Sequence, residues 1–508
     1  MDIIKNEIGF PYRKNLFDMS IEQNVDTDFQ LPDYYPEIVK VLKALTEINI
    51  ISTQCNDSGI NIGGQVVLTL LYFGSDDRPN SFTHTVPFTK HIDANDVGNG
   101  HVKCVPRLNY LNTKAVGPRK VESHGSLSLG VIVDFVEECT VLTDIECDGV
   151  YYKSSEVSCI KPLQTVCKSS FVEDEIQIPQ TKPTVEKILR KCAKASVTEC
   201  KYSSGKIIVK GTLEIELLYC PHGGGRPILF TESNNFSQII DCKDCSENMR
   251  FDVCAHVDSF ELHPKTSLDG EVRNISYEAK IGIEVSPYCD VEIRFMSDAF
   301  SGKYNAEISH KSIATEMVFD HLNDSFVCSK SIDLGQNTVS DVLDVWCEPI
   351  LELVSTDNND LLLKGNVAVS ILCNDDEGQT IYFERSADFE YRYNIEGTEN
   401  VSCKPELSVM AIQYSLQDNG IVDVKVELSA KGTVFEHKSI KAIDIISVNF
   451  DNVIKKDSDS AVVLYFAENE AVWDIAMKYG TSPKCICTAN KLENEEEICS
   501  KVLLIPNI

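Results

Sequence analysis

The stretch Phe29–Leu42, FQLPDYYPEIVKVL, followed by Gly63–Tyr72, GGQVVLTLLY, decides the fold, because the chain says it again further on. Residues 176–189 read IQIPQTKPTVEKIL and lead to VKGTLEIELLY at 209–219. Pro32 to Pro179, Gly64 to Gly211 and Tyr72 to Tyr219 are each 147 residues apart, so the two stretches are copies of one unit. A third copy starts at IDLGQNTVSDVL, with Gly335 in place of the proline, and reaches LKGNVAVSILC with Gly365 and Cys373. Its span is two residues shorter, a loss expected in a turn.

Each copy carries the same local signals. Proline, polar residues and then an I-x-x-(V/I)-L spacing predict a short amphipathic helix with proline at its first turn. A turn follows in each, Asp57-Ser58-Gly59, Ser203-Ser204-Gly205 and Asp357-Asn358-Asn359, predicting hairpins. Leu213, Ile215, Leu217 and Tyr219 alternate with Thr212, Glu214, Glu216 and Leu218, which gives a strand one buried face. Later strands recur as SLSLGVIV, YEAKIGIEV and VDVKVELSAKG. The expected fold is mainly β: three tandem units of sandwich or open-barrel type, each with one short helix and each folding by itself.

The end of the chain has a different grammar. Between the strand-like runs VVLYF and VLLIP, Val472, Ile475, Ala476 and Tyr479 form a helical stripe, and Gly480 stands where a left-handed cap is wanted. Ser482 and Pro483 then open a second helix to about Asn490, expected to bury Ile486 and Ala489. The order strand, helix, helix, strand, with W-D-I-A, K-Y-G-T-S, A-N-K-L and L-L-I-P in sequence, resembles a LysM domain. Domain boundaries follow as a lead-in at 1–23, repeats at 24–149, 151–304 and 305–452, a linker at 453–460 and the terminal module at 461–508.

Taken together, the LPDYYPEIVKVL signature, the G-x-V-x-x-x-L-L-Y strand, the repetition and the terminal module resemble the SipL-like spore-coat morphogenetic proteins built from SPOCS domains. That resemblance implies a non-enzymatic scaffold of the mother-cell cytoplasm at the forespore surface. Its LysM module would dock on a SpoIVA-like coat-basement ATPase, and its repeats would organise coat layers, with self-assembly through exposed strand edges as a further route. The alternative is an envelope protein that binds peptidoglycan or chitin oligosaccharides. Against it, the G-D-T-L-like turn that lets sugar approach the backbone is here Asn469, Glu470, Ala471 and Val472, and an acidic loop runs from Glu493 to Glu497. Partner docking is therefore placed on Asn469, Glu470, Ala471, Val472, Trp473, Leu492, Glu493 and Asn494. Trp473, about 100° round the helix from Val472, should lie at the edge of the buried face, or else pack under the 492–497 loop.

Composition agrees. A chain of 508 residues exceeds the roughly 250–300 at which single cores stop growing. A formal charge of −31 and a pI near 4.7 speak against sequence-independent binding to nucleic acid or anionic membrane and permit a basic protein partner. The N-terminus has no export-signal pattern, and apolar runs are strand-sized, so a cytoplasmic protein without membrane insertion is expected. The 20 cysteines are scattered and expected as free thiols. Cys242-Lys243-Asp244-Cys245 has knuckle spacing but lacks a second pair, and Cys485 and Cys487 cannot share a helix face, so no metal is expected. No catalytic motif or cofactor loop occurs, and Gly223-Gly224-Gly225 reads as a hairpin loop.

Overall fold

The structure, a computed structural model, describes residues 3–506 apart from 57, 96, 99, 335–338, 399, 418–419, 455–460, 495–497 and 500–501. Each copy of the repeat has an opening strand, split in two in the second copy, then a three-strand meander, then two returning strands, or three in the third copy. In the first copy these are β1 (Ile4–Gln30), the meander β2 (Ile38–Asn56), β3 (Gly59–Gly74) and β4 (Pro79–Ile92), then β5 (His101–Ala115) and β6 (Lys120–Glu146). In the second, β7 (Val150–Pro162) and β8 (Val166–Gln177) share the role of β1. The meander β9 (Val185–Ser203), β10 (Lys206–Pro221) and β11 (Ile228–Asp241) precedes β12 (Arg250–Thr266) and β13 (Val272–Ser301). The third has β14 (Tyr304–Asp333), then β15 (Val339–Asp357), β16 (Asp360–Asp375) and β17 (Thr380–Asn394). Its return is β18 (Val401–Cys403), β19 (Glu406–Leu416) and β20 (Ile421–Val453). The chain closes with β21 (Val462–Phe466), β22 (Glu470–Ala471), α1 (Val472–Tyr479), α2 (Pro483–Asn490), β23 (Ile498–Cys499) and β24 (Val502–Pro506).

The fold is mainly β, and within each copy two antiparallel layers face one another as a sandwich, joined in the second copy at Val185 and Val272 into one seven-stranded sheet. Alternation dictates the filling. Val66 and Leu68 of β3 meet Leu127, Leu129 and Val131 of β6; Leu213 and Ile215 meet Ile281 and Ile283; Val367 and Val369 meet Val424 and Val426. Each such fully covered side chain contributes roughly 1.5–3 kcal/mol relative to exposure.

The repeat marks have physical causes. A Cβ on Gly64, Gly211 or Gly365 would lie within 3 Å of the Phe88, Phe236 or Phe389 ring and of a carbonyl on the neighbouring strand. Opposite each glycine the partner strand skips one residue, so the ring and the bulge together demand a residue without a side chain. Tyr72 and Tyr219 donate their hydroxyls to the carbonyls of Pro36 and Pro183, at 3.1 and 3.0 Å, and so pin the proline turn to the end of the central strand. Arg119 donates to the carbonyls of Pro32 and Tyr35, and Arg273 to those of Pro179 and Lys182, which clamps the same turn in both copies. Gly335 of the third copy lies outside the described residues. β2 and β15 have equal length, so the two missing residues fall between Leu334 and Val339, where the first copy has Leu31 to Ile38.

The expected short helices are not formed. Ile38–Leu42, Val185–Leu189 and Val339–Leu343 begin strands β2, β9 and β15. In all three the strand skips two residues near its start, Val39 and Leu42, Glu186 and Leu189, Ser340 and Leu343. Two bulges in five residues break the period of 2 into steps of three and four, which imitates a helix. The three bulged leucines have a use. Leu42, Leu189 and Leu343 meet Leu71, Leu218 and Leu372 in one cluster, each repeat supplying equivalent residues around a pseudo-threefold axis. That contact also explains why Leu218 stands where the alternation asks for a polar side chain.

Nor are the repeats separate units. The outer halves of the long strands run past the sandwiches, and β6, β13 and β20 each touch the other two. They form a common trunk. Phe10, Val141, Cys159, Ile293, Phe295, Ile313 and Ala442 share one cluster in it, and Leu142, Ile145, Met296, Ala299, Ile443 and Ile446 another. Residues 4–23, read above as a lead-in, are the outer part of β1 and pair with β6 from Glu146 to Leu127. Of the linker, 455–460 lie outside the described residues, and Val453 still belongs to β20.

Side chains around the axis distinguish the three repeats. Lys43, Arg190 and Asp344 each follow directly on a bulged leucine. Arg190 and Asp344 pair at 2.8 Å while almost fully buried, and Arg190 stacks 4.9 Å over the Trp346 ring. Lys43 instead pairs with Glu384. Arg78 reaches Glu186 at 3.2 Å across one seam, and Arg226 reaches Asp341 across the next. Gly223, Gly224 and Gly225 all have positive φ in the loop that carries Arg226, so the expected hairpin loop is present. Cys242 and Cys245 are joined as a disulfide with Cα atoms 5.4 Å apart, which corrects the expectation of free thiols for that pair.

Candidate functional site: the terminal module and its dock

The terminal module forms as its sequence requires. Val472, Ile475 and Ala476 are fully buried, Gly480 takes φ 58° as the left-handed cap of α1, and Pro483 opens α2. β21 pairs antiparallel with β24, and the short β22 with β23. Asn490 fixes α2 on β24 by donating to the Leu504 carbonyl and accepting its N–H, both at 2.7 Å. Thr481 donates to the Pro506 carbonyl at 2.7 Å. Two details differ from expectation. Ala489 is exposed while Ile486 is buried, and Ser482 occupies the N-cap without a side-chain hydrogen bond.

The module sits on the base of the trunk. Trp473, 5% exposed, donates its indole N–H to Asp298 of β13 at 2.9 Å and meets the Phe300 ring edge-on with centroids 5.0 Å apart. Tyr151 packs beside them. Behind this contact two glycines stand back to back: a Cβ on Gly302 would lie 2.3 Å from the Gly480 carbonyl oxygen. Trp473 is therefore not at a free edge, because its polar edge found a half-buried carboxylate 175 residues away in sequence.

The remaining predicted docking residues divide by exposure. Val472 is core. Asn469 is exposed at φ 61°, and Glu470 beside it accepts the Tyr465 hydroxyl at 2.6 Å. That hydrogen bond holds the Glu470 carboxyl below the usual range, and Lys478 donates in turn to Tyr465 at 3.1 Å. The turn that would cradle a sugar is thus a closed polar knot. Ala471 is committed to pairing with Ile498. Leu492 is half-buried against the module core, Glu493 and Asn494 are exposed, and Glu495–Glu497 lie outside the described residues.

A second surface escaped the sequence reading. On the outer face of the β21–β24 ribbon, Val462, Leu464, Phe466, Val502 and Leu504 are 49, 71, 62, 58 and 42% exposed. Register places Leu464 opposite Leu504 and Phe466 opposite Val502, so they form one ladder. The inner face of the same ribbon holds Leu503 and Ile505, both buried. The signal was legible: VVLYF and VLLIP are apolar at both parities, and a two-stranded ribbon covered on one side leaves half of them in water.

The architecture defines a class, tandem β-sandwiches on a shared trunk with a small α/β module at the end. Within that class, a family model described as SipL, SPOCS domain, matches residues 37–132 and 184–265. The matched stretches run through β2–β5 and much of β6 in the first copy and β9–β12 in the second, so the chain is similar to that family where the glycine bulge and the central strand recur. No curated protein and no solved structure matches the chain. Among the described residues no helix is long and apolar enough to cross a membrane.

Proposed function

We propose that this chain is a scaffold for spore-coat assembly, without catalytic activity, whose LysM-like module docks on a protein of the coat basement layer of the SpoIVA-like kind. Similarity to the SipL SPOCS domain supports the sporulation-related role. The apolar ladder of Val462, Leu464, Phe466, Val502 and Leu504 carries the docking part of the reading. Five exposed apolar side chains in register on one face are what a protein interface covers, and oligosaccharide recognition needs the polar, open turn that Glu470 and Tyr465 close here. The shared trunk supports the scaffold reading, since the long strands of all three copies pack together in it. Calorimetric titration of the full-length protein with a chitin pentamer and with the purified basement-layer protein tests it. Heat from the protein and none from the sugar is expected; micromolar sugar binding with no protein binding overturns it.

A further inference from the structure

Where the first repeat abuts the second, three side chains from separate strands converge. His101 is the first residue of β5, and Cys167 of β8 and Glu284 of β13 are directly paired cross-strand neighbours, so their side chains share one face. The His101 Nε2 atom lies 3.9 Å from the Cys167 Sγ and 3.9 Å from the Glu284 Oε1, and all three ligand atoms fall within 4.8 Å of one another. They line a cavity of about 330 Å³, which Cys55, Lys168 and His256 also border. Local spacing points to no metal here, since 66 and 117 residues separate these ligands, and only the packing of two repeats brings them together.

We propose that His101, Cys167 and Glu284 bind a divalent transition metal, zinc by the character of its donors, as a staple between the first and second repeats. One imidazole nitrogen, one thiolate and one carboxylate oxygen are the donors zinc takes, and three of them leave a fourth tetrahedral position for water from the cavity. Bonds of about 2.0–2.3 Å set tetrahedral donors roughly 3.3–3.8 Å apart, so this set needs to close by no more than about 1.5 Å. The Sγ is nearly equidistant from both nitrogens, at 3.8 and 3.9 Å, so ligation turns the imidazole to present Nε2. Lys103 sits 3.5 Å from the other oxygen of Glu284 and holds that carboxylate with Oε1 facing His101. A partner of this kind outside the ligand set orients a ligand and adjusts its donor strength. Binding releases the thiol proton to solvent and leaves the metal oxidation state unchanged.

The test uses the full-length protein, stripped with chelator and titrated with Zn²⁺ in competition with a chromogenic chelator. Co²⁺ serves as a second probe, through the absorption of a cobalt–thiolate bond. One tight equivalent is expected. His101→Asn and Cys167→Ser should each weaken it at least about 100-fold with circular dichroism unchanged, Glu284→Gln should weaken it less, and Cys139→Ser in the trunk should leave it intact. Absence of a tight equivalent in the parent protein overturns the proposal. So does retention of parental affinity in both the His101 and Cys167 variants, which would place the metal on other thiols.

Discussion

Trp473 donates its indole N–H to Asp298, a bond that with the Phe300 ring contact joins the helical module to the middle of the chain. Hydrogen bonds to charged groups contribute about 1.5–3 kcal/mol when both partners are held. A double-mutant cycle in thermal or chemical unfolding, with Trp473→Phe and Asp298→Ala, should therefore show a coupling in that range. Phenylalanine keeps the edge-on contact with Phe300 and removes only the donor. Additive losses in the cycle would mean that packing alone holds the module on the trunk.

At the axis, Arg190 and Asp344 form the most deeply buried ion pair described, with side chains 7 and 2% exposed. Removing Arg190 strands the Asp344 charge, so Arg190→Ala should cost about 3–5 kcal/mol, whereas Asp344→Ala leaves Arg190 its second carboxylate, Glu216 at 3.2 Å, and should cost less. Replacing both, as Arg190→Met with Asp344→Leu, should recover most of that loss in denaturant unfolding. If the double variant is no better than the single ones, the pair is needed for more than satisfying itself, and the order of repeats around the axis is the first thing to examine.

Much of this was legible in the sequence, and the failures have one source. The glycine, tyrosine and hairpin marks were readable because each answers a local demand, a ring over a bulge, a hydroxyl on a proline carbonyl, a two-residue turn. The module was readable because its stripe and cap belong to one eight-residue helix. Ile38–Leu42 was misread because two bulges imitate helical spacing, and their purpose, to deliver Leu42 to the axis, exists only when three repeats are assembled. Trp473 was left between the edge of the buried face and a place under the 492–497 loop for the same reason. Its partner is Asp298, and no property of the terminal segment names it. The His101, Cys167 and Glu284 group has no short-range spacing at all.

Acid should weaken the third seam in a defined way. Burial pushes the Glu384 carboxyl up, but hydrogen bonds from Lys43 and Tyr382 and the Lys43 charge outweigh it and hold the group below its ordinary value of 4.5. A carboxyl depressed on folding contributes stability above its unfolded value and loses it as pH falls through the folded one. Lys43→Met should thus be less stable than the parent at neutral pH, and the difference should shrink as pH drops below about 4. Unfolding curves across that range decide it; a gap that persists undiminished in acid would trace the loss to packing of the lysine stem.

The trunk predicts how the chain divides. A fragment from Asp26 to Gly149 keeps most of one sandwich but removes β1 up to Val25, leaving β6 from Phe135 to Glu146 with no partner strand. It also uncovers Val141, Leu142 and Ile145, which are 2–5% exposed in the whole protein. That fragment should aggregate or lack near-ultraviolet circular dichroism, and beginning at Ile4 should improve it only in part, because the other two ribbons of the trunk are still missing. Cooperative unfolding of the shorter fragment would show that the sandwich core suffices.

The apolar ladder separates binding from stability, because its side chains already face water. Leu464 and Leu504, 71 and 42% exposed, lose little when replaced, and surface substitutions away from caps and buried pairs usually shift stability by no more than about 0.5 kcal/mol. Leu464→Glu with Leu504→Glu should therefore melt within a degree or two of the parent. At an interface the same change places two carboxylates opposite apolar atoms, and truncation of a central interface residue alone often costs about 2 kcal/mol. Binding to the basement-layer protein should fall at least about 30-fold, or vanish, in a titration with the full-length chain. Glu470→Gln, which changes the closed turn but not the ladder, should bind as the parent does. If the outcome is reversed, with the ladder variant binding normally and the Glu470 variant failing, the partner is read by the turn that begins at Asn469, and the exposed leucines serve contacts between copies of this chain instead.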